Sequence, residues 1–224
     1  MQSVSQDPKD TPMPVAKKQP RPRRRQTVGR VDDRRAEIIA ATIRVIGQQG
    51  MSGATMRAIA REMGLTTGVI SHYFHDKSEL LHEALQTCFD PWTTTLEQGK
   101  SLPGSFERLR HLFVSTIPAY SGRRNSRRVW LGLLMHIDHE AKLWEVYKNR
   151  YGAIREQVYA LFRDAQRVGT IRAGLDAVVE CDRLFALCDG LMISVIGEPG
   201  RLTEKLVTQI LMTQLDSLSA KAPA

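Results

Sequence analysis

Cysteine and long apolar runs are both scarce in this chain of 224 residues. The three cysteines are an odd and scattered set, so they indicate no disulfide framework and are typical of a reducing cytosol. No apolar run reaches the roughly 18 residues that a membrane helix needs. The N-terminus is polar and rich in proline, unlike a secretory signal. These absences predict a cytoplasmic protein with no membrane partner.

The positive charge is concentrated at the start of the chain. The formal net charge is +8, and residues 1–35 carry ten basic side chains against four acidic ones. Five prolines and a near-absence of large apolar residues predict that residues 1–31 form a disordered basic arm. Such an arm either neutralises phosphates or enters an A·T-rich minor groove, or it only keeps the protein in solution.

Apolar spacing after the arm predicts an all-α protein. Apolar residues recur at intervals of three and four, and no alternating segment of four or more residues indicates a strand. The expected helices cover about 36–50, 56–63, 67–74, 76–88, 105–117, 125–136, 140–168, 177–196 and 203–218. Asp90 and Pro91 are expected to stop or kink the fourth of them. Thr55 and Thr66 are expected to cap the second and third helices, and Asp76-Lys77-Ser78-Glu79 is a capping box with Asp in place of Ser or Thr.

The two short helices at 56–63 and 67–74 have the proportions of a helix-turn-helix motif. In that motif the second helix lies in the major groove of DNA, and its first residues meet base edges. Ile70 and Phe74 lie four residues apart and are expected in the core. Two ordinary short helices of a bundle would share this apolar spacing, but they would not need a polar second face. That face would carry Thr67, Gly68, Val69, Ser71, His72 and Tyr73.

The same segment resembles a known family. Residues 54–81, ATMRAIAREMGLTTGVISHYFHDKSELL, are similar to the DNA-binding domain of the TetR family of bacterial repressors. The core TGVISHYFHDK at 67–77 and the segment DGL at 189–191 are similar to its choline-responsive BetI branch. The resemblance implies a three-helix DNA-binding domain at 32–80 and a ligand-binding and dimerisation domain of about six helices at 81–224. It also implies a ligand-responsive repressor with no catalytic residues, no metal and no cofactor.

The resemblance further implies specific contacts to double-stranded DNA. Bases would be met by Thr67, Gly68, Val69 and His72, with Arg57 on a base or a phosphate. The DNA backbone would be met by Thr55, Thr66, Ser71, Tyr73 and Lys77. Operators of the family are palindromes, so the two recognition helices of a homodimer would lie about 34–36 Å apart.

The homodimer is expected to form through residues 177–218. The resemblance implies this interface, and the apolar residues of the last two predicted helices support it independently. They cover more than one helical face, which is more than a monomer should expose. These residues are Leu184, Leu187, Leu191, Ile210, Leu211 and Leu215.

A small-molecule effector of unknown identity is expected in the C-terminal domain, where it would pull on the helix that begins at Asp76. A choline-like or other cationic amine would need an aromatic cage and a countercharge. The candidates are Trp92, Trp130, Trp144, Tyr147, Tyr151, Phe185 and Asp189, with Asp138 and Glu145 as further acids. The aromatic residues would serve equally well as core, and Asp189 as a salt-bridge partner of Arg183 or of the second protomer.

Enzyme-like motifs in the chain are incomplete. Gly99-Lys100-Ser101 lacks the leading glycine of a phosphate-binding loop, because Thr94 occupies its place. His136, Asp138 and His139 are of metal-ligand type, so an all-α metal protein or enzyme is the alternative hypothesis. A nonspecific DNA compactor driven by the basic arm is a third hypothesis.

Overall fold

The computed structural model describes residues 25–121, 124–136, 141–198 and 200–220. Within these ranges the chain is helical, and its single β contact is an isolated antiparallel bridge between Ile171 and Ser219. The helices are α1 (Arg25–Gly53), α2 (Met56–Glu62), α3 (Thr67–Tyr73), α4 (Lys77–Cys88), α5 (Asp90–Gly99), α6 (Ser105–Ser121), α7 (Arg124–Leu134), α8 (Ala141–Arg167), α9 (Ala177–Gly197) and α10 (Glu204–Asp216). The prediction of an all-α protein is confirmed.

The first helix, α1, begins earlier than the sequence predicts. It starts at Arg25, inside the segment expected to be a disordered arm. Pro22 is the last proline before Gly50, so nothing after it removes a helical hydrogen-bond donor. Residues 1–24, which make up most of the predicted arm, lie outside the described part of the chain. The expected end of the helix at Gly50 is a break with a φ of 73°, after which one more turn follows.

The first three helices pack around a common apolar core. Ile38 and Val45 of α1 are fully buried, as are Ile59 of α2 and Ile70 of α3. Phe74, which directly follows α3, is buried in the same core. This packing fixes the angle between α2 and α3, so the outer surface of the pair is held as one rigid unit.

α4 begins with a reciprocal cap. The carboxylate of Asp76 accepts a hydrogen bond from the Glu79 N–H at 2.8 Å, and the carboxylate of Glu79 accepts one from the His75 N–H at 2.7 Å. The predicted capping box is therefore present, although Glu79 reaches the residue before the cap. Both backbone hydrogen bonds favour the charged form and lower the pKa of the two carboxyls.

A helix that the sequence analysis does not predict follows α4. α4 ends at Cys88, and α5 starts at Asp90 with Pro91 in its first turn. Pro91 cannot donate the hydrogen bond that would continue α4, but its fixed φ suits the first turn of a new helix. The prediction that Asp90 and Pro91 end α4 is confirmed. α5 brings the helices behind α3 to seven among the described residues, against about six expected.

The remaining helices form a bundle behind the first three. Their bounds agree with the predicted helices to within a few residues. α8 is 27 residues long and packs against α4, α6 and α9 through buried side chains such as Ile154, Val158 and Phe162. Among the described residues, no helix combines the length and the apolar character needed to cross a membrane.

Candidate functional site

The turn between α2 and α3 sets the relative direction of the two helices. Gly64 has a φ of 65°, a left-handed conformation that favours glycine. The N–H of Leu65 donates to the carbonyl of Ala60 at 2.8 Å, which closes the end of α2 in the manner of a Schellman motif. At the other end of α2, Thr55 accepts a hydrogen bond from the Ala58 N–H at 3.1 Å, so the predicted cap is confirmed.

α3 is divided into a buried face and an exposed face. Ile70 and Phe74 are fully buried, which confirms their predicted place in the core. The exposed face carries Thr67, Gly68, Ser71 and His72, with Val69 and Tyr73 half-buried beside it. A polar face held by two apolar anchors allows a short helix to enter a DNA groove as a rigid body.

The start of α3 makes few contacts inside the protein. A side-chain carbon at Gly68 would meet only the hydroxyl of Thr66, at 3.8 Å. Thr66 is the N-cap residue, but the capping hydrogen bond expected from its side chain is not made. The Val69 N–H donates instead to the Thr66 carbonyl at 3.1 Å. The Thr66 hydroxyl therefore remains available to an external partner.

Two arginines of α2 extend the polar surface. Arg57 and Arg61 are exposed, and both line the cleft between α2 and α3 together with Thr66 and Thr67. Arg57 is predicted from the sequence as a DNA contact, whereas Arg61 is not. The spacing of four residues between the two arginines, which places both on one side of a helix, is the signal that could have identified Arg61.

Lys77 lies at the start of α4 and is half-buried. Its ammonium group donates a hydrogen bond to the carbonyl of Met51 at 3.4 Å. The side chain thus ties α4 to the last turn of α1, which is a contact within the protein that the sequence does not predict.

Most of the predicted effector residues meet in one aromatic cluster between α5, α7, α8 and α9. The ring centroid of Trp130 lies 6.0 Å from that of Tyr147 and 6.5 Å from that of Tyr151. The Tyr151 ring lies 5.3 Å from Phe185, and Trp92 lies 5.9 Å from Phe185 on the other side. Five residues from four helices therefore share one set of ring contacts.

Two further aromatic residues define the edges of this cluster. Trp144, which is 49% exposed, stacks on Tyr147 at 6.0 Å and forms the outer edge. Phe89 forms the inner edge, where its ring lies edge-on to Trp130 at 5.0 Å. Phe89 is not among the residues predicted from the sequence, although its place directly after the apolar positions of α4 could have indicated it. Phe89 connects the cluster to the end of α4.

Asp189 is the acidic member of the aromatic cluster. It accepts a hydrogen bond from the hydroxyl of Tyr151 at 3.3 Å. Burial raises the pKa of its carboxyl. The suggested salt bridge to Arg183 is wrong, because Arg183 pairs instead with Glu180 at 2.9 Å, one turn earlier on α9.

A small cavity of about 60 Å³ lies beside Asp189. It is lined by Trp130, Leu131, Leu134, Asp189, Met192, Ile193 and Ile196. Pockets for small-molecule ligands usually measure about 300–1,000 Å³. An organic ligand would therefore enter only after a side chain such as Trp130 or Met192 has moved.

α9 and α10 expose apolar side chains to solvent. Val179, Ala186, Gly190 and Ile193 lie on one face of α9, and all four are exposed, with an exposed arginine between the first two. Val179 and Ile193 are 52% and 53% exposed, and Leu206 of α10 is 38% exposed. An apolar stripe of this kind is typical of a surface that another protein chain covers.

The exposed residues of α9 and α10 are not the six apolar residues from which the sequence predicts a dimer. Four of those six are buried in the protomer's own core, and the other two, Leu187 and Ile210, are half-buried. The four buried positions are Leu184, Leu191, Leu211 and Leu215. α9 and α10 pack against α6 and against each other, so most of their apolar residues are already used within one protomer.

The metal alternative has no support among the described residues. They contain no group of three or more His, Cys, Asp or Glu side chains that could hold a metal ion. His136 hydrogen-bonds through Nδ1 to the Gly132 carbonyl at 3.0 Å, whereas Asp138 and His139 lie outside the described residues. Glu145, the other candidate countercharge, is exposed on α8.

Two short helices joined by a glycine turn, the second with a polar face exposed and an apolar face buried, are the features of a helix-turn-helix DNA-binding protein. Comparison with known families agrees. Residues 38–84 match the family described as bacterial regulatory proteins, tetR family, and residues 106–220 match the BetI-type transcriptional repressor, C-terminal. The chain belongs to the TetR family of transcriptional regulators, and its C-terminal region is of the BetI type. Members of this family are not enzymes: they bind DNA as dimers and respond to small molecules.

Individual proteins are similar to this chain over most of its length. BetI of Paraburkholderia phytofirmans is 28% identical over 178 residues, which span 77% of this chain and 87% of that protein. PksA of Bacillus subtilis is 25% identical over 190 residues, which span 84% of this chain and 90% of that protein. A solved structure described as a transcriptional regulator from Saccharomonospora viridis in complex with choline has a TM-score of 0.73 at 24% identity, and the match covers 81% of this chain and 95% of that one. The predicted resemblance to the TetR family is confirmed.

Proposed function

We propose that the exposed face of α3 recognises one half of a palindromic operator in the major groove, and that a second protomer recognises the other half. The observation that carries the proposal is the division of α3 into two fully buried anchors, Ile70 and Phe74, and an exposed polar face. In this proposal the protein acts in the cytoplasm as a transcriptional repressor. The proposed base contacts come from Thr67, Gly68, Val69 and His72.

Contacts to DNA phosphates flank these base contacts in the proposal. The contributing residues are Thr55, Arg57, Thr66, Ser71, Tyr73 and Lys77. The free hydroxyl of Thr66 and the exposed Arg57 support this assignment, and Arg61 beside Arg57 is a further phosphate ligand. Lys77 would have to give up its 3.4 Å hydrogen bond to Met51 in order to contribute.

Selection from a randomised duplex library tests the proposed function. The full-length protein is expected to enrich one palindrome with half-sites centred about 34–36 Å apart, because two symmetric helices must enter the groove on one side of the duplex. Binding to that palindrome should exceed binding to unrelated DNA by about 10³-fold or more at physiological salt. A protein that binds only through its basic N-terminal segment would enrich no sequence, and this outcome would contradict the proposal.

We infer that the effector is a small organic cation that binds beside Asp189. Asp189 lines the cavity together with Trp130 and accepts the hydrogen bond of the Tyr151 hydroxyl. A carboxylate beside an aromatic side chain is complementary to an ammonium group, which is attracted both by negative charge and by aromatic faces. Trp92, Trp144, Tyr147 and Phe185 extend the same aromatic surface. The complex of the similar regulator with choline supports this class of ligand.

Ligand entry would act on α4 through Phe89. The cavity of about 60 Å³ is too small for such a cation unless a lining side chain moves, and in this proposal that side chain is Trp130. Trp130 contacts Phe89 edge-on at 5.0 Å, so its displacement pushes on the residue that ends α4. α4 begins directly after the recognition helix. A coupling free energy of about 1–3 kcal/mol between the two sites would weaken operator binding by about 5–150-fold.

Choline is the probe for this site because its charge is independent of pH. Its affinity, measured by calorimetry over a series of pH values, is expected to fall as the pH is lowered, since protonation of Asp189 removes the countercharge. Burial raises the pKa of Asp189 above its ordinary value of 3.8, so the loss should begin at a higher pH than an exposed carboxyl would give. Asp189→Asn should bind choline at least about 10-fold more weakly and without this pH dependence.

Glu145→Gln is the matched control, since Glu145 is an exposed acid on α8. It is expected to leave the choline affinity and its pH dependence unchanged. An equal loss in both variants would mean that charge acts only at long range. Absence of choline binding to the unaltered protein would contradict the assignment of a quaternary ammonium ligand.

We also propose that the second protomer binds along α9 and α10, within residues 177–218. The exposed stripe of α9 contains Ala186 and Gly190, whose small size lets two helices approach closely, between the larger Val179 and Ile193. A twofold interface uses the same surface on both chains, so one apolar stripe is sufficient for both halves of the contact.

A further inference from the structure

We propose that Arg35 of α1 is a positioning residue that clamps the C-terminal end of the recognition helix to α4, so that movement of α4 is passed to the DNA-binding surface. This inference rests on the proposed function of α3. The side chain of Arg35 is 30% exposed and lies where α1, α3 and α4 meet. Its contacts with the end of α3 and with α4 carry the proposal.

Arg35 holds the end of α3 by two contacts. Its guanidinium group donates a hydrogen bond to the carbonyl of Tyr73, which is the last residue of α3. Its Cζ atom lies 4.2 Å from the centroid of the Phe74 ring, in a cation–π geometry. The last carbonyls of a helix have no partners within the helix, and a cation there is also favoured by the helix dipole. The end of α3 is therefore fixed both in position and in direction.

The same guanidinium group binds two acids that lie one turn apart on α4. Its Nη2 atom is 3.1 Å from Glu79 and 3.6 Å from Glu83. The other carboxylate oxygen of Glu79 accepts the hydrogen bond from the His75 N–H at 2.7 Å. Glu79 is thus held between Arg35 and the turn that joins α3 to α4, so a shift of the first turns of α4 must move Tyr73 as well.

A guanidinium group suits this position better than an ammonium group. Its planar fork can donate to two carboxylates and a carbonyl while its face stacks on Phe74, whereas a lysine provides a single charge centre. Partly exposed ion pairs contribute little to overall stability. The main effect of Arg35 should therefore be on the position of α3 and not on whether the domain folds. Arg34 is a natural comparison, because it pairs with Glu37 within α1 at 2.7 Å.

The position of α3 can be measured directly by pulsed electron-spin resonance between labels on the two protomers. A label on Ser71→Cys, an exposed position of α3, reports the distance between recognition helices. The native cysteines do not compete, since all three are buried, and burial raises the pKa of the Cys88 thiol to about 12. Arg35→Gln is expected to broaden the distance distribution at least about twofold, and Arg34→Gln to leave it unchanged.

A second measurement uses the unlabelled protein and the palindrome recovered by selection. Arg35→Gln should lower the preference for that palindrome over a version with one inserted central base pair by about 10-fold. Arg34→Gln should keep the full preference. Arg35→Lys should lie between the two, and it carries the test if circular dichroism shows that Arg35→Gln has lost helix.

The outcomes separate this proposal from the proposed function. An unchanged distance distribution in Arg35→Gln would overturn the clamp, whatever happens on DNA. A broadened distribution in a protein that recognises no palindrome, even without substitution, would support the clamp and contradict only the DNA-binding assignment of α3. Equal broadening in the Arg34 and Arg35 variants would also overturn it, because loss of any charge on α1 would then suffice.

Discussion

Replacing Gly68 by leucine is expected to lower operator affinity by at least about 100-fold, or about 2.7 kcal/mol, without lowering the stability of the protein. Inside the protein a side chain at this position meets only the Thr66 hydroxyl, at 3.8 Å, and leucine favours a helix more than glycine does. In the DNA complex the same side chain would stand between the α3 backbone and the bases. Moving α3 out of the groove breaks several contacts, each worth about 1–3 kcal/mol.

Gly174→Leu provides the matched control for this prediction. Gly174 lies in the exposed turn between α8 and α9, and a side chain there meets nothing within 4 Å. Fluorescence anisotropy with the selected palindrome gives the affinities, and thermal unfolding in the same buffer gives the stabilities. The assignment of the α3 face would fail if Gly68→Leu bound the palindrome normally, or if it lost stability in parallel with affinity.

Ile193→Asp is expected to convert the dimer to a monomer and to abolish specific operator binding. Ile193 is 53% exposed in the single protomer, and in the proposed dimer it is covered by a second copy of α9. An unpaired carboxylate buried in this interface would destabilise the dimer by several kcal/mol, roughly the free energy that an unpaired charge costs in a protein interior. The mass measured by light scattering should fall from twice 25.2 kDa to 25.2 kDa. One recognition helix alone cannot use both halves of a palindrome.

Val168→Asp is the control for this second prediction. Val168 follows the end of α8, is also 53% exposed, and lies outside the α9 stripe. It should keep both the dimer and the operator affinity. Because Ile193 also lines the cavity beside Asp189, Leu206→Asp on α10 should be tested as well, since Leu206 is not among the lining residues. A dimer that persists in both Ile193→Asp and Leu206→Asp would rule out this interface.

Sequence reasoning succeeded where local signals agree with one another. The break in α1 at Gly50, the cap at Thr55 and the capping box at Asp76 depend on residues close in sequence, and apolar spacing independently places Ile70 in the core. Local propensity and tertiary packing favour the same structure there, so the helix-turn-helix could be predicted in detail. Most residues of the aromatic cluster could also be predicted from the sequence, because large apolar side chains on several helices tend to meet in one core.

The errors concern choices among long-range partners. Asp189 bonds to Tyr151, 38 residues away, rather than to Arg183 on its own helix, and no local rule distinguishes the two. Leu184 and its neighbours were predicted to be exposed because the packing of α9 against α8, α7 and α6 cannot be read from the sequence. Arg35 is one of two adjacent arginines, and only the fold brings it to Glu79, 44 residues later. Thr66 is correctly predicted as the N-cap of α3, but the sequence does not reveal that its side chain makes no capping hydrogen bond.

The break between α4 and α5 consists of one residue, Phe89, and it allows α4 to move as a separate short helix. Because Phe89 separates the helices, α4 is a stiff rod of 12 residues, about 18 Å long at 1.5 Å rise per residue. A tilt of about 10° along this length would displace one end of α4 relative to the other by about 3 Å, close to the rise of two residues along a helix. In the proposed mechanism, a small displacement of Phe89 by Trp130 would therefore be enough to change the spacing of two recognition helices on a rigid duplex. α5 begins after the break, so it could keep its own packing on α6 while α4 tilts.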